Sequence, residues 1–414
     1  MKKLIKYKFK PANTIGKEET IESLKVMKSG ALSSYLGSKG PDFLGGKYVK
    51  KFEKSICKFF NVKYAISVNS WTSGLVTIMG AIGIKPGDEI ITTPWTMCCT
   101  ATSALHWNGI PVFCDIEPET FNIDANKVEK LITRRTKAIV AVDILGHGRD
   151  IEKLKSICRK KKIYLVTDSA QAPGAKDKLG YVGTNSDIGG FSLNYHKHIH
   201  SGEGGVIVTD NRNLAKRCQM IRNHAEAVIP KKNLKKKEMQ NMVGHNFRMG
   251  ELECAIAFNQ IKKLKKLVNK RNRLALRLTK GIKDLKGLQT PIVKKNNFHA
   301  FYNYSMILDY KKNNLKRKKI VSLLEKEGVQ GLVEGYGNIH LLPVFQKKFF
   351  QYKNFPWSIN KNVNYSYKKG ICPIAEELSN NAYFHLEMHM FDLNEKDIDL
   401  IILAFQKVWT KINK

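Results

Sequence analysis

Between residues 64 and 209, short apolar runs alternate with stretches whose apolar positions recur every three to four residues. The runs 64–68, 89–92, 111–115, 138–144, 163–167, 188–193 and 205–209 read as strands, bounded largely by turn-forming residues. Segments 72–82, 96–107 and 150–160 carry helical spacing, the last with Asp150 placed as its N-cap. This strand–helix rhythm predicts an α/β fold, a mostly parallel sheet with helices on both faces. Beyond about residue 250 the pattern changes. Ile261, Leu264, Leu267, Leu274, Leu278, Ile282 and Leu285 recur at helical spacing, and Lys and Arg fill the opposite face. One long amphipathic helix is predicted there, bridging into a smaller domain that runs to the C-terminus. The runs KKNLKKKE (231–238) and KKNNLKRKK (311–319) read as loops or exposed helix surface.

Composition narrows the class. The chain has 414 residues, enough at about 150 per unit for two to three structural units. Hydrophobic residues at 43% and aromatics at 9% exclude a disordered chain. Lys and Arg total 71 against 36 Asp and Glu, a net charge of +35 that raises a nucleic-acid reading. No recognised nucleic-acid motif accompanies that charge, so it is assigned to solvated helix faces and no specific nucleic-acid partner is expected. The basic N-terminus MKKLIKYKFKPANTIG is followed by no apolar core segment, so no signal peptide is expected. The longest apolar stretch, 75–84, is too short to cross a bilayer, and no membrane partner is expected. Eight sparse cysteines without a CxxC predict reduced thiols in a cytoplasmic protein.

Three segments carry candidate chemistry at predicted strand ends, where open α/β sheets bind ligands. In VNSWTSGL (68–75), Ser70 and Thr72 stand at a helix start, where free N–H groups and the helix dipole attract anions. In VTDSAQAPGA (166–175), Asp168 ends an apolar run and can project a carboxylate. In FSLNYHKHIHSGEGGVIVTD (191–210), Lys197 lies between two strands, ahead of the tight GEGG connection. Each has a plain structural reading alone: an N-cap, a turn aspartate, a surface lysine. Together, an anion cradle, a strand-end carboxylate and a lysine are what pyridoxal phosphate (PLP) needs.

The sequence resembles the nucleotide-sugar aminotransferases of the DegT type over nearly its whole length. The resemblance rests on SGALSSYLGSKG (29–40), PGDEIITTPWTM (86–97), IPVFCDIEPETF (110–121), TDSAQAPGA (167–175), FSLNYHKHIHSGEGG (191–205), RNHAEAV (222–228), GHNFRMGELECAIAFNQIKKL (244–264) and CPIAEEL (372–378). It implies the three-layer α/β/α fold of fold type I PLP-dependent transferases, with a smaller α+β C-terminal domain. The units it implies are an N-terminal arm, 1–45, contributing to the small domain; a PLP-binding domain, 46–255; and a linking helix with the small domain, 256–414. Lys197 matches the Schiff-base lysine, Asp168 the partner of the pyridine nitrogen, and Gln171 a neighbour of the ring or its hydroxyl. Ser70, Trp71 and Thr72 match the phosphate loop, and Ser192 a further phosphate ligand. Asn246 matches a residue that reaches into the neighbouring subunit's site, which implies a homodimer with shared active sites. The implied reaction moves an amino group from glutamate or glutamine to a keto sugar, linked to a nucleoside diphosphate, as in polysaccharide biosynthesis.

Three positions depart from the family pattern. Trp71 stands where the phosphate loop has glycine, so a positive φ there would be strained. Met97 follows Thr96 where an aromatic residue stacks on the ring, and either Met97 or Trp95 is a candidate to cover it. YFHLEMHMF (383–391) is unlike the usual ending. Some relatives are PLP-dependent sugar dehydratases with histidine in place of the lysine; His196 and His198 flank that position, but the spacing from Ser192 places Lys197 on it. A non-catalytic, basic polyanion-binding protein is the reading from another class. His196, His198 and His200 would share one face of a strand, and His385 and His389 one face of a helix. Neither set is completed by a Cys or carboxylate at typical spacing, so no metal is expected.

Overall fold

A computed structural model describes residues 3–225, 235–313 and 316–412. Parts of the two lysine-rich runs and of RNHAEAV lie outside the described residues.

The large sheet is built from β1 (Tyr64–Val68), β2 (Glu89–Thr92), β3 (Ile110–Phe113), β4 (Thr136–Val142), β5 (Tyr164–Asp168), β8 (Ile188–Ser192) and β9 (Gly205–Thr209); β6 (Lys176–Asp177) and β7 (Gly180–Tyr181) form a separate hairpin. The strand order is β1-β9-β8-β5-β4-β2-β3. β9 runs antiparallel to both its neighbours, β1 and β8, and the other pairs are parallel. The helices to residue 282 are α1 (Lys17–Ser29), α2 (Lys47–Phe60), α3 (Trp71–Ala81), α4 (Cys99–Leu105), α5 (Ala125–Leu131), α6 (Ile151–Lys161), α7 (Arg212–Arg222), α8 (Lys236–Met239) and α9 (Glu251–Ile282). Both faces of the sheet are covered, which is why its strands are apolar almost throughout. Ala65 packs in a cluster with Phe52 of α2 and Leu264 of α9. Its neighbours Ile66 and Val68 face the other way, among Leu75 and Ile78 of α3 and Leu214 of α7. The fold is the expected three-layer α/β/α arrangement.

A four-stranded antiparallel sheet, ordered β10 (Leu288–Gln289), β11 (Tyr304–Leu308), β13 (Tyr383–Leu386), β12 (Leu332–Glu334), forms the smaller α+β unit. Its core joins Met306 and Phe384 to Leu274 and Leu278 of α9 and to Phe405 and Trp409 of the last helix. Ile5 and Phe9 of the N-terminal arm complete that core.

Strands 64–68, 89–92 and 205–209 form as read, and Asp150 caps α6 by accepting from Lys153 N at 3.2 Å. Other boundaries differ. The helix expected over 96–107 spans only Cys99–Leu105, because Thr96 and Met97 belong to the loop before it. Helix α9 begins ten residues before Ile261 and ends before Leu285. All eight cysteines are free thiols. Among the described residues no helix is long and apolar enough to cross a membrane.

Candidate active site

The candidate residues converge at the C-terminal edge of the parallel strands, where Asp168 ends β5, Ser192 ends β8, and Ser70 follows β1 into α3. Ser70 caps α3: its Oγ accepts from Ser73 N at 3.1 Å. Gly74 N bonds to Ser70 O at 3.1 Å, so the Trp71 and Thr72 N–H groups precede the first intrahelical bond. Thr72 is exposed and Ser70 half-buried. A Cβ on Gly205 would stand 2.8 Å from Trp71 N, so a glycine lets β9 begin against the start of α3.

Trp71 takes a helical conformation, and its φ is not positive. The strain that a positive φ would have brought is therefore absent. Its side chain is buried, and the indole Nε1–H donates to Asp168 Oδ1 at 2.7 Å. Ala170 N donates to the same oxygen at 3.2 Å, and Thr100 Oγ1 donates to Oδ2 at 2.7 Å. Thr100 in turn pairs with Thr96 Oγ1 at 2.8 Å. Burial pushes the Asp168 carboxyl up, and these donors with Lys197 oppose that rise by favouring the charged form.

Lys197 is 9% exposed, in the loop between β8 and β9, and its Nζ lies 4.6 Å from the Tyr302 ring centroid. Burial pushes its amine down to about 8, against the opposing influence of Asp168 and Cys99. Cys99 faces Thr72, Asp168 and Lys197, and burial pushes its thiol up to about 12. Tyr302 stacks on His389 at 4.2 Å between centroids, and His389 Nδ1 pairs with Asn303 Oδ1 at 2.7 Å.

Gln171 links two segments: its Oε1 accepts from Leu145 N at 2.8 Å, and its Nε2 donates to Tyr336 Oη at 3.2 Å. Ser192 is buried, and its Oγ accepts from Asn194 N at 3.3 Å. Met97 is 61% exposed. Trp95 is wholly buried beside Phe121, Tyr336 and Tyr383, its indole N–H donating to Asn338 Oδ1 at 3.1 Å. Asn246 is exposed and accepts from Arg248 Nε at 2.8 Å; the next residue, Phe247, accepts from Asn69 N at 3.0 Å. Thr96, Thr100, Cys99 and Tyr302 join the site without having been singled out, and His389 joins it as the stacking neighbour of Tyr302 and not as a metal ligand. Only Thr96 and Thr100 carried a signal, their i,i+4 spacing.

The histidines do not share faces. Residues 195–199 form turns and bends, so His196, His198 and His200 are not on a strand. His198 is buried against Ala300 O, His196 faces His389, and His200 Nδ1 accepts from Gly202 N. His385 lies on β13 and His389 in a 3-10 turn, not on one helix. Among the described residues no group of three His, Cys, Asp or Glu could hold a metal ion.

This donor set fits PLP. A lysine amine lowered by burial suits an aldehyde, and first-turn N–H groups suit a phosphate. Asp168 has about four acceptor sites, of which three are filled, leaving one for a ring N–H.

The profile of the DegT/DnrJ/EryC1/StrS aminotransferase family matches residues 31–386. The UDP-4-amino-4,6-dideoxy-N-acetyl-beta-L-altrosamine transaminase of Helicobacter pylori is 33% identical over 316 residues, 74% of this chain and 79% of that protein. The solved structure of Helicobacter pylori PseC, an aminotransferase involved in the biosynthesis of pseudoaminic acid, matches at TM-score 0.78 and 26% identity, covering 97% of this chain and 98% of that one. That of GDP-4-keto-6-deoxymannose-3-dehydratase with bound GDP-perosamine matches at TM-score 0.78 and 25% identity, covering 96% and 100%.

Proposed function

The chain belongs to the DegT/DnrJ/EryC1/StrS aminotransferase family, and from that premise we propose that it moves an amino group from glutamate or glutamine to the carbonyl of a nucleoside-diphosphate-linked keto sugar. The donor leaves as its 2-keto acid and the acceptor as an amino sugar, so the exchange balances without an added oxidant or reductant. The observation that carries the reading is Lys197, a buried amine lowered to about 8 that faces the buried carboxylate Asp168.

When bound, PLP supplies an aldehyde that joins an amine and a ring that draws electrons from the adjoining carbon. The rest falls to the chain. Lys197 Nζ, lowered by burial to about 8 so that a share of it is neutral just below that pH, takes the proton from the donor Cα and later returns one to the sugar carbon. Asp168, as a carboxylate, would accept from the ring N–H and so keep that nitrogen protonated. The Trp71 and Thr72 N–H groups, the Thr72 hydroxyl and Ser192 bind the phosphate. Gln171 braces Tyr336 along one wall, and exposed Met97 and Tyr195 stand free to cover ligand. Asn246, exposed on the surface, is the group offered to a second copy in a cytoplasmic homodimer. The helix-face lysines keep the chain basic without being part of the site.

The test combines spectroscopy with isotope transfer. With PLP the protein gains a visible absorption band, which Lys197→Ala lacks. With 15N-glutamate and either GDP-4-keto-6-deoxymannose or a UDP-linked 4-keto sugar, the label appears in the product sugar. A deoxygenated product without label means dehydration instead, and no band with PLP overturns the cofactor assignment. Imidazole forms no such stable link to an aldehyde, so a band dependent on Lys197 also argues against a histidine-based dehydratase.

A further inference from the structure

We infer that the indole N–H of Trp71 is a positioning group for Asp168, fixing the carboxylate's orientation and holding it ionised so that the cofactor's ring nitrogen keeps its proton. The inference rests on the PLP reading above and goes beyond it. The family resemblance assigns position 71 to the phosphate through its backbone, and gives its side chain no task.

The geometry supplies that task. The bond to Asp168 Oδ1 is 2.7 Å, short and charge-assisted, between two buried groups. The ring is held in a slot. A Cβ on Gly190 would stand 2.4 Å and 2.6 Å from Trp71 Cζ3 and Cη2, and one on Gly74 would stand 2.8 Å from Cε3. Side chains at these two positions would push the indole aside, so the two glycines set where its N–H points. Asp168 therefore meets the ligand pocket with Oδ1 filled by Trp71 and Ala170 N, and one lone pair of Oδ2 left beside the bond from Thr100.

The chemical effect has a definite sign. A proton between a pyridine nitrogen and a carboxylate rests on the more basic partner. Each donor to the carboxylate lowers its basicity and leaves the proton on the ring, where it sharpens the ring's electron demand. Removing the indole N–H raises the basicity of Asp168 and draws the proton towards it. The titratable groups that face Asp168 are Lys197, Cys99 and Tyr336, and none of them changes in the proposed variants.

The test uses the holoenzyme with 15N-labelled PLP. In Trp71→Phe the ring-nitrogen resonance moves towards the unprotonated value. PLP binds about tenfold more weakly, the scale of one charge-assisted hydrogen bond between Asp168 and the ring nitrogen losing its alignment, and kcat falls while KM for glutamate holds. In the Asp168→Asn background, Trp71→Phe adds none of these effects; a purely packing role would persist there. Site-specific 3-benzothienylalanine at position 71 keeps the bicyclic shape and removes only the N–H, so it gives the same shift even if Trp71→Phe folds poorly. A wild-type resonance and wild-type PLP affinity in the benzothienyl protein overturn the inference while leaving the aminotransferase reading intact. A wild-type protein that forms no Lys197-dependent band overturns both.

Discussion

Replacing Thr100 with valine isolates the second side-chain donor to Asp168 at nearly constant volume. Thr100 is wholly buried, 2.7 Å from Asp168 Oδ2 and 2.8 Å from Thr96 Oγ1. Losing a hydrogen bond to a charged group costs about 1.5–3 kcal/mol. The Thr96 hydroxyl, left in a buried place without its partner, adds about 1 kcal/mol. The first part depends on pH and the second does not. Burial already raises the folded carboxyl pKa, and removing a donor raises it further. A folded state that binds a proton more tightly than the unfolded chain is most stable below the unfolded carboxylate value, about 3.9. It loses stability as pH rises from there through the folded pKa. The full penalty of Thr100→Val, about 2.5–4 kcal/mol, is therefore expected at pH 7.5, and about 1 kcal/mol at pH 4. Urea unfolding of the cofactor-free protein at the two pH values measures both. Equal penalties at the two pH values would refute the claim that Thr100 acts on an ionised Asp168. So would a penalty at pH 7.5 no larger than that of the hydroxyl alone.

Three further outcomes are expected. In the cofactor-free protein, the rate at which Lys197 captures PLP rises about tenfold per pH unit up to its pKa of about 8 and then levels, since only the neutral amine attacks; stopped-flow absorbance measures this, and a flat rate from pH 6 to 8 contradicts it. Gly190→Ala places a Cβ 2.0 Å from Val206 O and 2.4 Å from the Trp71 ring, so it destabilises by at least about 1–3 kcal/mol and weakens PLP binding, read by thermal unfolding and equilibrium dialysis; wild-type values for both would mean the slot around Trp71 is loose. Trp95→Ala, in the middle of an aromatic cluster, costs about 3–5 kcal/mol in urea unfolding, whereas Met97→Ala stays within about 0.5 kcal/mol of wild type; similar costs for the two would contradict their opposite exposure.

The parts of this fold written locally in the chain are those the sequence discloses. Strands β1, β2 and β9 follow from apolar runs, and Asp150 and Ser70 act as caps because capping needs only a side-chain oxygen and an N–H three residues on. The histidines show the limit of local spacing. Alternation puts His196, His198 and His200 on one face only if the segment is a strand. Gly202 and Gly204 take φ of 84° and 149° just beyond it, and the segment turns instead. Tyr302 meets Lys197 and His389 meets His196 from the smaller unit, and no spacing in the sequence signals a contact that depends on how two sheets are joined.

Trp71 is the sharpest case. In the sequence it is a bulky residue where a glycine is usual, which reads as damage to a phosphate loop. The backbone there needs no positive φ, so the first turn of α3 keeps its free N–H groups with tryptophan in place. The side chain turns under the helix to a carboxylate 97 residues away. It fits because Gly74 lies one turn along and Gly190 lies on a strand more than a hundred residues later. A residue that departs from a pattern is costly only if its surroundings stay as the pattern had them. Here the space for the ring comes from two glycines, and the indole N–H meets a buried carboxylate that needs a donor. The departure and its accommodation are separated in sequence and joined only by the fold, so each looked unremarked or harmful until both were placed against Asp168.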